Sequence, residues 1–325
     1  MRRFFIFLSI SLLTGSLLTG VIHPAFAKTK SDTINIGVPS WPSAQATAHI
    51  IGQLLEGQFK LETNLQRLGT LGIFVGIDSG SIHIHPEIWQ PSLTPLVNRY
   101  AEEKKTLTLG KKPVSATQNI CVTKQTVKAT GIKNIKDLTD PIMAAKFDTN
   151  NDGKGEIWIG DKYWPSTKIE RVRARSYGYD KTMQLLQASE TVAMASIDAA
   201  VAVGRPVAFY CYWPHHVFQL HDITVLKEEP HNPEKWSITD PADDPAWLSK
   251  STATTSWNNS KFQLGYASSL NNTTPKAAQF LDNVEFSPKD IAWMSYAMQV
   301  ERMEPQLIAE KWISDNMDRV KKWMK

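Results

Sequence analysis

The sequence predicts an α/β protein made of two lobes with a ligand cleft between them. The first hundred residues alternate short apolar strands with helical segments, which is typical of a largely parallel sheet. The alternation returns in the middle of the chain, and a helical stretch follows to the C-terminus. The order of the elements indicates that the second lobe is inserted in the first. We assign residues 28–119 and 262–325 to lobe 1 and residues 120–261 to lobe 2.

The elements of lobe 1 follow from the spacing of apolar residues. An apolar strand in 34–41 runs into a Ser-Pro turn, and the next segment has apolar residues at helical spacing. In chain order we predict a strand in INIGVPSW, a helix in AQATAHIIGQLLEGQF, a strand in LETNLQRLG, and a short helix followed by a strand in IFVGIDSGSIHIHPEIW.

In lobe 2, segments with the apolar spacing of strands again alternate with segments that have the apolar spacing of helices. From residue 114 we predict a strand in VSATQNICVTK, helix in IKDLTDPIMAAKF, a strand in EIWIGD, mostly helix in YDKTMQLLQASETVAMASIDAAVAVG, and strands in RPVAFYCYW and HDITVLKEE. Residues 228–260 have no clear period and form a structured loop. FQLGYASSL returns to a strand, and Ser287-Pro288 marks the start of a helix in the C-terminal stretch.

Export from the cytoplasm is indicated by the first 27 residues. Arg2 and Arg3 precede an apolar run that ends in Ala-Phe-Ala, which is the pattern of a cleaved signal peptide. An uncleaved membrane anchor is the alternative. In an exported chain, Cys121 and Cys211 either form one disulfide or remain two buried thiols, and spacing alone does not decide. The net charge is +4 and basic and acidic residues are interspersed, so the sequence shows no clustered positive charge of the kind that binds nucleic acid.

Tryptophans next to prolines are the most informative feature. Trp41, Trp89, Trp164 and Trp213 each lie where a strand gives way to a loop, in SWPS, IWQP, YWPS and YWPH. Strand ends of an α/β lobe border the ligand cleft. An aromatic ring attracts a quaternary ammonium by about 2 kcal/mol when the site is desolvated. Several such rings predict a cage around an alkylated cation, whereas the alternative is that each tryptophan is a core residue.

The chain resembles the substrate-binding proteins of ABC transporters for glycine betaine, proline betaine and choline. The resemblance extends over nearly the whole mature chain. It is carried by IWQP, GEIWIGDKYW, RPVAFYCYWPHHVF and the tail pattern FSPKDI…EPQLIAEKWI…VKKWM. It implies a type II periplasmic binding protein fold that closes over its ligand, a periplasmic monomer, a membrane permease as partner and no required cofactor.

The same resemblance suggests ligand-binding residues. Trp89 and Trp164 match two cage tryptophans of the family, and Trp41 matches a cage position of choline-type members. Tyr212 takes the third cage position by register, although Trp213 is the alternative because neighbouring strand residues face opposite sides. Glu87 is a candidate counter-charge for the ligand.

Two departures bear on how a ligand carboxylate would be held. Some family members use a histidine where this chain has Leu93, and backbone N–H groups where it has Pro165, which lacks one. Ser166, Thr167 and Arg171 are the nearby substitutes. The alternative is a ligand without a carboxylate, as in choline.

A partial calcium loop precedes this region. Asp148, Asn150 and Asp152 supply oxygens at the first, third and fifth positions, and Gly153 follows. The twelfth position is Ile159 rather than glutamate. We therefore expect either a structural calcium ion or a polar turn, and in both cases the rings bind the ligand.

The function predicted is capture of a quaternary ammonium compound for an ABC importer, without catalysis. A secreted ligand-sensing module for another amine or amino-acid derivative is the alternative. A secreted hydrolase is disfavoured, because GIDSG (76–80) only faintly resembles a nucleophile segment and no G-x-S-x-G motif is present.

Overall fold

A mixed α/β arrangement is found in the computed structural model, which describes residues 33–325. The predicted signal peptide lies outside the described residues. The strands are β1 Ile34–Val38, β2 Thr63–Arg67, β3 Ile84–Gln90, β4 Leu107–Leu109, β5 Val114–Thr123, β6 Gly155–Trp158, β7 Met183–Leu186, β8 Ala208–Trp213, β9 Ile223–Val225, β10 Trp236–Ser237, β11 Thr252–Ala253 and β12 Ser260–Ala267.

The helices fill the connections between strands and the C-terminal stretch. They are α1 Pro42–Phe59, α2 Thr70–Ser79, α3 Thr94–Val97, α4 Lys124–Thr130, α5 Pro141–Ala144, α6 Pro165–Tyr177, α7 Glu190–Ala202, α8 Val217–Leu220, α9 Trp247–Lys250, α10 Leu270–Thr273, α11 Pro275–Asn283, α12 Pro288–Gln299, α13 Pro305–Asp315 and α14 Met317–Trp323. No helix within 33–325 combines the length and apolar character needed to cross a bilayer.

The main sheet has the strand order β2-β1-β3-β12-β5-β8-β6-β7, with β4 on β12 and β9 on β5. We call β1, β2, β3, β4 and β12 the first sheet half, and β6, β7, β8 and β9 the second sheet half. Within the halves, β1 pairs in parallel with β2 and β3, and β6 pairs in parallel with β7 and β8.

Strands β5 and β12 are where the chain passes between the two halves. They pair antiparallel with each other, with Phe262 opposite Val114 and Ser260 opposite Ala116. β5 continues along β8, and β12 runs along β3. The residue limits that we assign to the two lobes stay a prediction.

A disulfide joins the two antiparallel strands β5 and β8. It links Cys121 to Cys211, whose Cα atoms are 5.8 Å apart, and both residues are buried. This decides the alternative left open by the sequence in favour of a bridge. The bridge fixes the strand that carries Tyr210 and Tyr212.

The segment 228–260 is held to α6 by a buried ionic cluster. The guanidinium of Arg173 lies between Glu170 and Glu228, at 2.9 and 2.6 Å, with none of the three exposed to a notable degree. The indole of Trp257 donates to Glu170 at 2.6 Å. A buried charge requires such partners, so this cluster explains why an aperiodic segment is ordered.

The helical tail starts as the sequence predicts. Ser287 caps α12, and Asp290 completes a reciprocal capping box. The Asp290 carboxylate also accepts hydrogen bonds from Trp312 Nε1 and from Arg319. One carboxylate therefore ties three consecutive helices together.

Candidate functional site

Aromatic rings wall a cavity of about 40 Å³ between the two sheet halves. One water needs about 10–15 Å³ on this measure, so the space exceeds a single water. The cavity lies at strand ends and helix N-termini. Its lining residues are Trp41, Thr70, Trp89, Ser92, Leu93, Gln118, Trp164, Pro165, Ser166, Tyr210 and Tyr212.

The first sheet half supplies two indoles that share one acceptor. Trp41 lies at the N-cap of α1, directly after β1, and Trp89 lies near the end of β3. Both indole N–H groups donate to Glu87 Oε2, at 2.6 Å from Trp41 and 3.1 Å from Trp89. The shared carboxyl fixes the orientation of both rings.

The second sheet half supplies one indole and two phenols. Trp164 is the N-cap of α6, and Tyr210 and Tyr212 lie two residues apart on β8. The ring centroid of Trp164 lies 6.5 Å from that of Tyr210 and 6.0 Å from that of Tyr212. Residues two apart on a strand face the same side, which brings both phenols to the cavity.

Rings from the two halves also contact each other. Trp41 meets Trp164 edge to face at 6.4 Å, and Trp89 meets Tyr212 edge to face at 5.3 Å. Trp89 in turn stacks on Phe262 of β12, with centroids 4.4 Å apart and planes 18° apart. The cage is therefore assembled from both halves and rests on a strand that joins them.

Each phenol hydroxyl of the cage has a hydrogen-bond partner. Tyr212 donates to both oxygens of Glu190, at 3.0 and 2.9 Å, and His215 Nε2 lies 2.5 Å from the same carboxyl. Burial raises the pKa of Glu190 to about 7. The hydroxyl of Tyr210 donates to Gln118, 2.7 Å away. These bonds satisfy the polar ends of rings whose planes wall an apolar space.

Burial also shifts the pKa of Glu87, the acid that lies behind the two indoles. It raises the pKa of Glu87 to about 7, although hydrogen bonds from Trp41, Trp89, Ser43 and Thr47 act in the opposite direction. Glu87 is only 1 % exposed and is absent from the cavity wall. The expected counter-charge thus lies behind the rings rather than against the ligand space.

The structure brings five of the sequence-predicted binding residues together, whereas Glu87 and Trp213 are absent from the cavity wall. Trp41, Trp89, Trp164, Tyr212 and Ser166 all line the cavity. Trp213 does not, and its side chain is 38 % exposed, because the alternation of β8 turns it away when Tyr212 faces in.

Tyr210 is the cage residue that the sequence analysis missed. The signal was present, because a strand that points Tyr212 into the cavity must point Tyr210 the same way. Trp158 supports this side from behind, with ring centroids 5.8 Å from Trp164 and 6.2 Å from Tyr210.

Two residues that depart from the family pattern lie on the cavity wall. Leu93 and Pro165 both line it, and neither offers a hydrogen-bond donor from its side chain. Of the substitutes expected for a carboxylate, Thr167 donates to the Asp161 carbonyl and the Arg171 guanidinium lies over the Trp247 ring at 5.3 Å. Only Ser166 remains at the cavity.

The partial calcium loop is closed largely by its own hydrogen bonds. Asp148 accepts the backbone N–H groups of Asn150, Asn151 and Gly153, at 3.2, 2.7 and 2.9 Å. Carboxylate oxygens of Asp148, Asp152 and Glu156 lie within 4.8 Å of one another, so the chain also offers oxygens to an ion. Glu156, three positions before Ile159, is the third carboxylate of this cluster.

The segment GIDSG forms the end of α2. Ser79 Oγ donates to the Gly76 carbonyl at 3.1 Å, and Asp78 pairs with Lys104 and Thr106. Both side chains therefore have structural partners.

Comparison with known proteins gives a match over most of the chain. Residues 32–315 match the family described as the substrate binding domain of ABC-type glycine betaine transport systems. A glycine betaine/proline betaine-binding periplasmic protein of Salmonella typhimurium is 26 % identical over 144 residues, which is 44 % of each chain. The chain thus spans less than half the length of that relative in the alignment.

Two further proteins align over nearly their whole length. A trimethylamine N-oxide-binding protein of Pelagibacter ubique is 22 % identical over 94 % of this chain and 96 % of its own. The structure of an ABC-transporter choline binding protein in complex with choline superposes with a TM-score of 0.71 at 17 % identity, over 90 % of this chain and 91 % of that one.

Proposed function

The chain belongs to the family of substrate-binding domains of ABC-type glycine betaine transport systems, and we propose that it captures a small compound with a fully methylated nitrogen. The family resemblance drawn from the sequence motifs is confirmed. The fold is that of the type II periplasmic binding proteins, also as expected.

One observation carries the proposal: the cavity is walled by the rings of Trp41, Trp89, Trp164, Tyr210 and Tyr212. A trimethylammonium group has no hydrogen to donate, so directional polar contacts cannot recognise it. Ring planes recognise it through their quadrupoles, by about 2 kcal/mol or more per desolvated contact. Apolar solutes of the same size gain only the hydrophobic part of this energy.

We further propose that the ligand has no carboxylate. The lining residues include no lysine, arginine or histidine, and Leu93 and Pro165 occupy positions that would otherwise offer donors. Burying a carboxylate without a charged partner costs several kcal/mol. The hydroxyls of Thr70, Ser92 and Ser166 suit a single oxygen, as in an N-oxide or an alcohol. The relative that aligns over its full length is named for trimethylamine N-oxide, which has such an oxygen.

Members of this family are binding components of transporters rather than enzymes. We propose that this chain works outside the cytoplasm as a monomer, performs no catalytic step and delivers its ligand to a membrane permease. The cavity is walled by two rings from the first sheet half and three from the second. A ligand bound between them contacts both halves and therefore stabilises one closed shape.

A ligand panel tests the proposal. Isothermal titration calorimetry and thermal shift are measured with trimethylamine N-oxide, choline, glycine betaine, proline betaine and carnitine. Dimethylamine and glycine serve as controls that lack a permethylated nitrogen. We expect binding of trimethylamine N-oxide or choline in the micromolar range or tighter, and binding of the carboxylate-bearing compounds at least tenfold weaker.

The outcomes separate the two parts of the proposal. Tightest binding of glycine betaine would keep the methylated-amine class and remove the carboxylate argument. Binding of only amino acids, sugars or inorganic anions would contradict both.

A further inference from the structure

We propose that Glu87 is a positioning residue that acts on the ligand cation through the indoles of Trp41 and Trp89. Its carboxylate holds both N–H edges and increases the negative potential of the ring planes that meet the methylated nitrogen. This inference rests on the function proposed above, and it assigns that cation an indirect counter-charge.

The geometry places the acid directly behind the two rings. Glu87 Oε2 accepts from Trp41 Nε1 at 2.6 Å, from Ser43 Oγ at 3.0 Å and from Trp89 Nε1 at 3.1 Å. Thr47 Oγ1 lies 3.4 Å from the other oxygen. Because both indoles line the cavity while Glu87 does not, the acid can influence the ligand only across the rings or through space.

An indole N–H does not need a carboxyl as its hydrogen-bond acceptor. A backbone carbonyl or an amide would accept such a bond at a lower desolvation cost. All four donors to Glu87 are neutral groups, so its burial is not offset by a nearby cation in the described chain. A missing positive charge next to a cavity that suits a cation indicates that the ligand supplies it.

No other charge near Glu87 takes this role. His85 lies on the same strand, and burial lowers its pKa to about 3, which keeps it neutral. From β8, the phenol of Tyr212 faces Glu87, and burial raises the pKa of that phenol well above its ordinary value. The remaining contacts, from α1, are the hydroxyls of Ser43 and Thr47. Of the groups that contact Glu87, only its own carboxyl titrates in the neutral range, and a second acid with a pKa raised to about 7, Glu190, lies behind Tyr212.

The physical effect has two parts. An anion bound at an indole N–H polarises the ring, which strengthens attraction of a cation to the ring plane. The charge itself also attracts the cation across a water-poor interior, where Coulomb energies exceed those in water severalfold. Both parts act on a charged ligand and not on a neutral one of the same shape.

Proton linkage follows from the same geometry. Burial raises the pKa of Glu87 to about 7, so the acid is partly protonated in the free protein at neutral pH. A bound cation favours the ionised form, and by reciprocity ionisation favours the cation. Ligand binding near pH 7 then releases protons, and affinity for the cation increases between pH 6 and 8.

The decisive experiment compares charged and neutral ligands of one shape on Glu87→Gln, which keeps an acceptor for the indoles and removes the charge. The probe pair is choline and 3,3-dimethylbutan-1-ol, in which carbon replaces the nitrogen. We expect Glu87→Gln to weaken the affinity for choline by about tenfold, equivalent to about 1.4 kcal/mol, and to change that for the neutral alcohol by less than about twofold.

Equal losses for both ligands of the pair would mean that Glu87 only keeps the rings in place, and would overturn the inference. A wild type that binds neither methylated amine would instead remove the proposed function, so the two failures are distinguishable. If Glu87→Gln does not fold, Glu190→Gln, which removes the second acid whose pKa burial raises to about 7, is titrated with choline at pH 7 in phosphate and in Tris, which differ in ionisation enthalpy. Proton release supports the role, and identical enthalpies in both buffers overturn it.

Discussion

The indole Nε1 of Trp164 donates to Ser40 Oγ at 3.1 Å, and this bond joins the second sheet half to the first. Trp164 is the N-cap of α6, whereas Ser40 lies in the turn that follows β1. The bond can exist only while the two halves are close together. It therefore belongs to the ligand-enclosing shape.

Ser40→Ala is expected to weaken ligand binding without lowering stability much. A neutral hydrogen bond contributes about 0.5–1.5 kcal/mol, which corresponds to roughly a two- to twelvefold increase in Kd. Calorimetry of the ligand and the midpoint of thermal unfolding give the two readouts. Ser196→Ala, at an exposed serine bonded within α7, is the matched control. Equal affinities of the two variants would contradict a role in closure.

Trp89→Ala and Trp213→Ala separate cage from surface tryptophans. Trp89 lines the cavity and stacks on Phe262, so its loss should raise the Kd for the methylated amine by a hundredfold or more. Truncation of an aromatic side chain that anchors a binding partner typically costs about 2 kcal/mol or more of binding free energy. Trp213 is partly exposed at the end of β8, and its loss should change Kd by less than about twofold. Titration of both variants with the same ligand checks this contrast.

Glu87 also makes stability depend on pH in a predictable direction. Its pKa rises from 4.5 to about 7 on folding, so between these values the folded state binds more protons than the unfolded state. The contribution of this acid to the free energy of unfolding is therefore largest at or below pH 4.5 and decreases until about pH 7. Three buried histidines with lowered pKa values act in the opposite direction, whereas Glu190, whose pKa is also raised to about 7, acts in the same direction.

Comparison with Glu87→Gln isolates that contribution, because the amide does not titrate. The difference in unfolding free energy, variant minus wild type, should increase by on the order of 2 kcal/mol between pH 5 and pH 7.5. Urea titrations at four pH values measure it. A difference that stays constant with pH would show that the acid is ionised in both states or in neither.

Loss of the bridge between Cys121 and Cys211 is expected to lower stability by about 2–4 kcal/mol. The bond closes a chain segment whose ends are 90 residues apart, and opening it enlarges the unfolded ensemble. Chemical denaturation of Cys121→Ala/Cys211→Ala against the wild type measures the change. Because both cysteines are buried, dithiothreitol should have little effect on the folded wild type over the same time. An unchanged denaturation midpoint in the double variant would contradict this account.

Calcium, if bound, should affect stability and not ligand recognition. The loop that holds Asp148 and Asp152 is outside the cavity wall, and its backbone is already fixed by its own hydrogen bonds. We propose that calcium raises the thermal midpoint by a few degrees and that Asp148→Asn removes this shift. Ligand Kd should be the same in EDTA and in millimolar calcium. A change in Kd on chelation would mean that the oxygens contribute to recognition after all.

Much of the architecture was predictable because the spacing of apolar residues in the sequence matches the pattern of buried residues in the structure. The strands β1 and β5, the helix α1 and the capped start of α12 have regular apolar spacing, and each lies where the sequence predicts it. Of the tryptophans predicted from their proline neighbours, Trp41, Trp89 and Trp164 line the cavity and Trp213 does not, so this pattern marks candidate positions without fixing which way a ring points.

Elements without an apolar period were not predictable. Helix α6 buries Ser166, Thr167, Glu170 and Arg173, which are polar residues whose partners come from distant parts of the chain. Strand β7 lies within a stretch that was assigned mostly to helix, and only its pairing with β6 makes it a strand. In both cases tertiary contacts outweigh local preference.

Phe262 lies under Trp89 and also sits opposite Val114 where the two connecting strands pair. We therefore expect the contact between this indole and Phe262 to couple ligand binding to the pairing of β5 with β12. Substitutions that slightly change the side-chain volume at position 262 are expected to change the fraction of ligand-free protein that adopts the closed, ligand-bound shape.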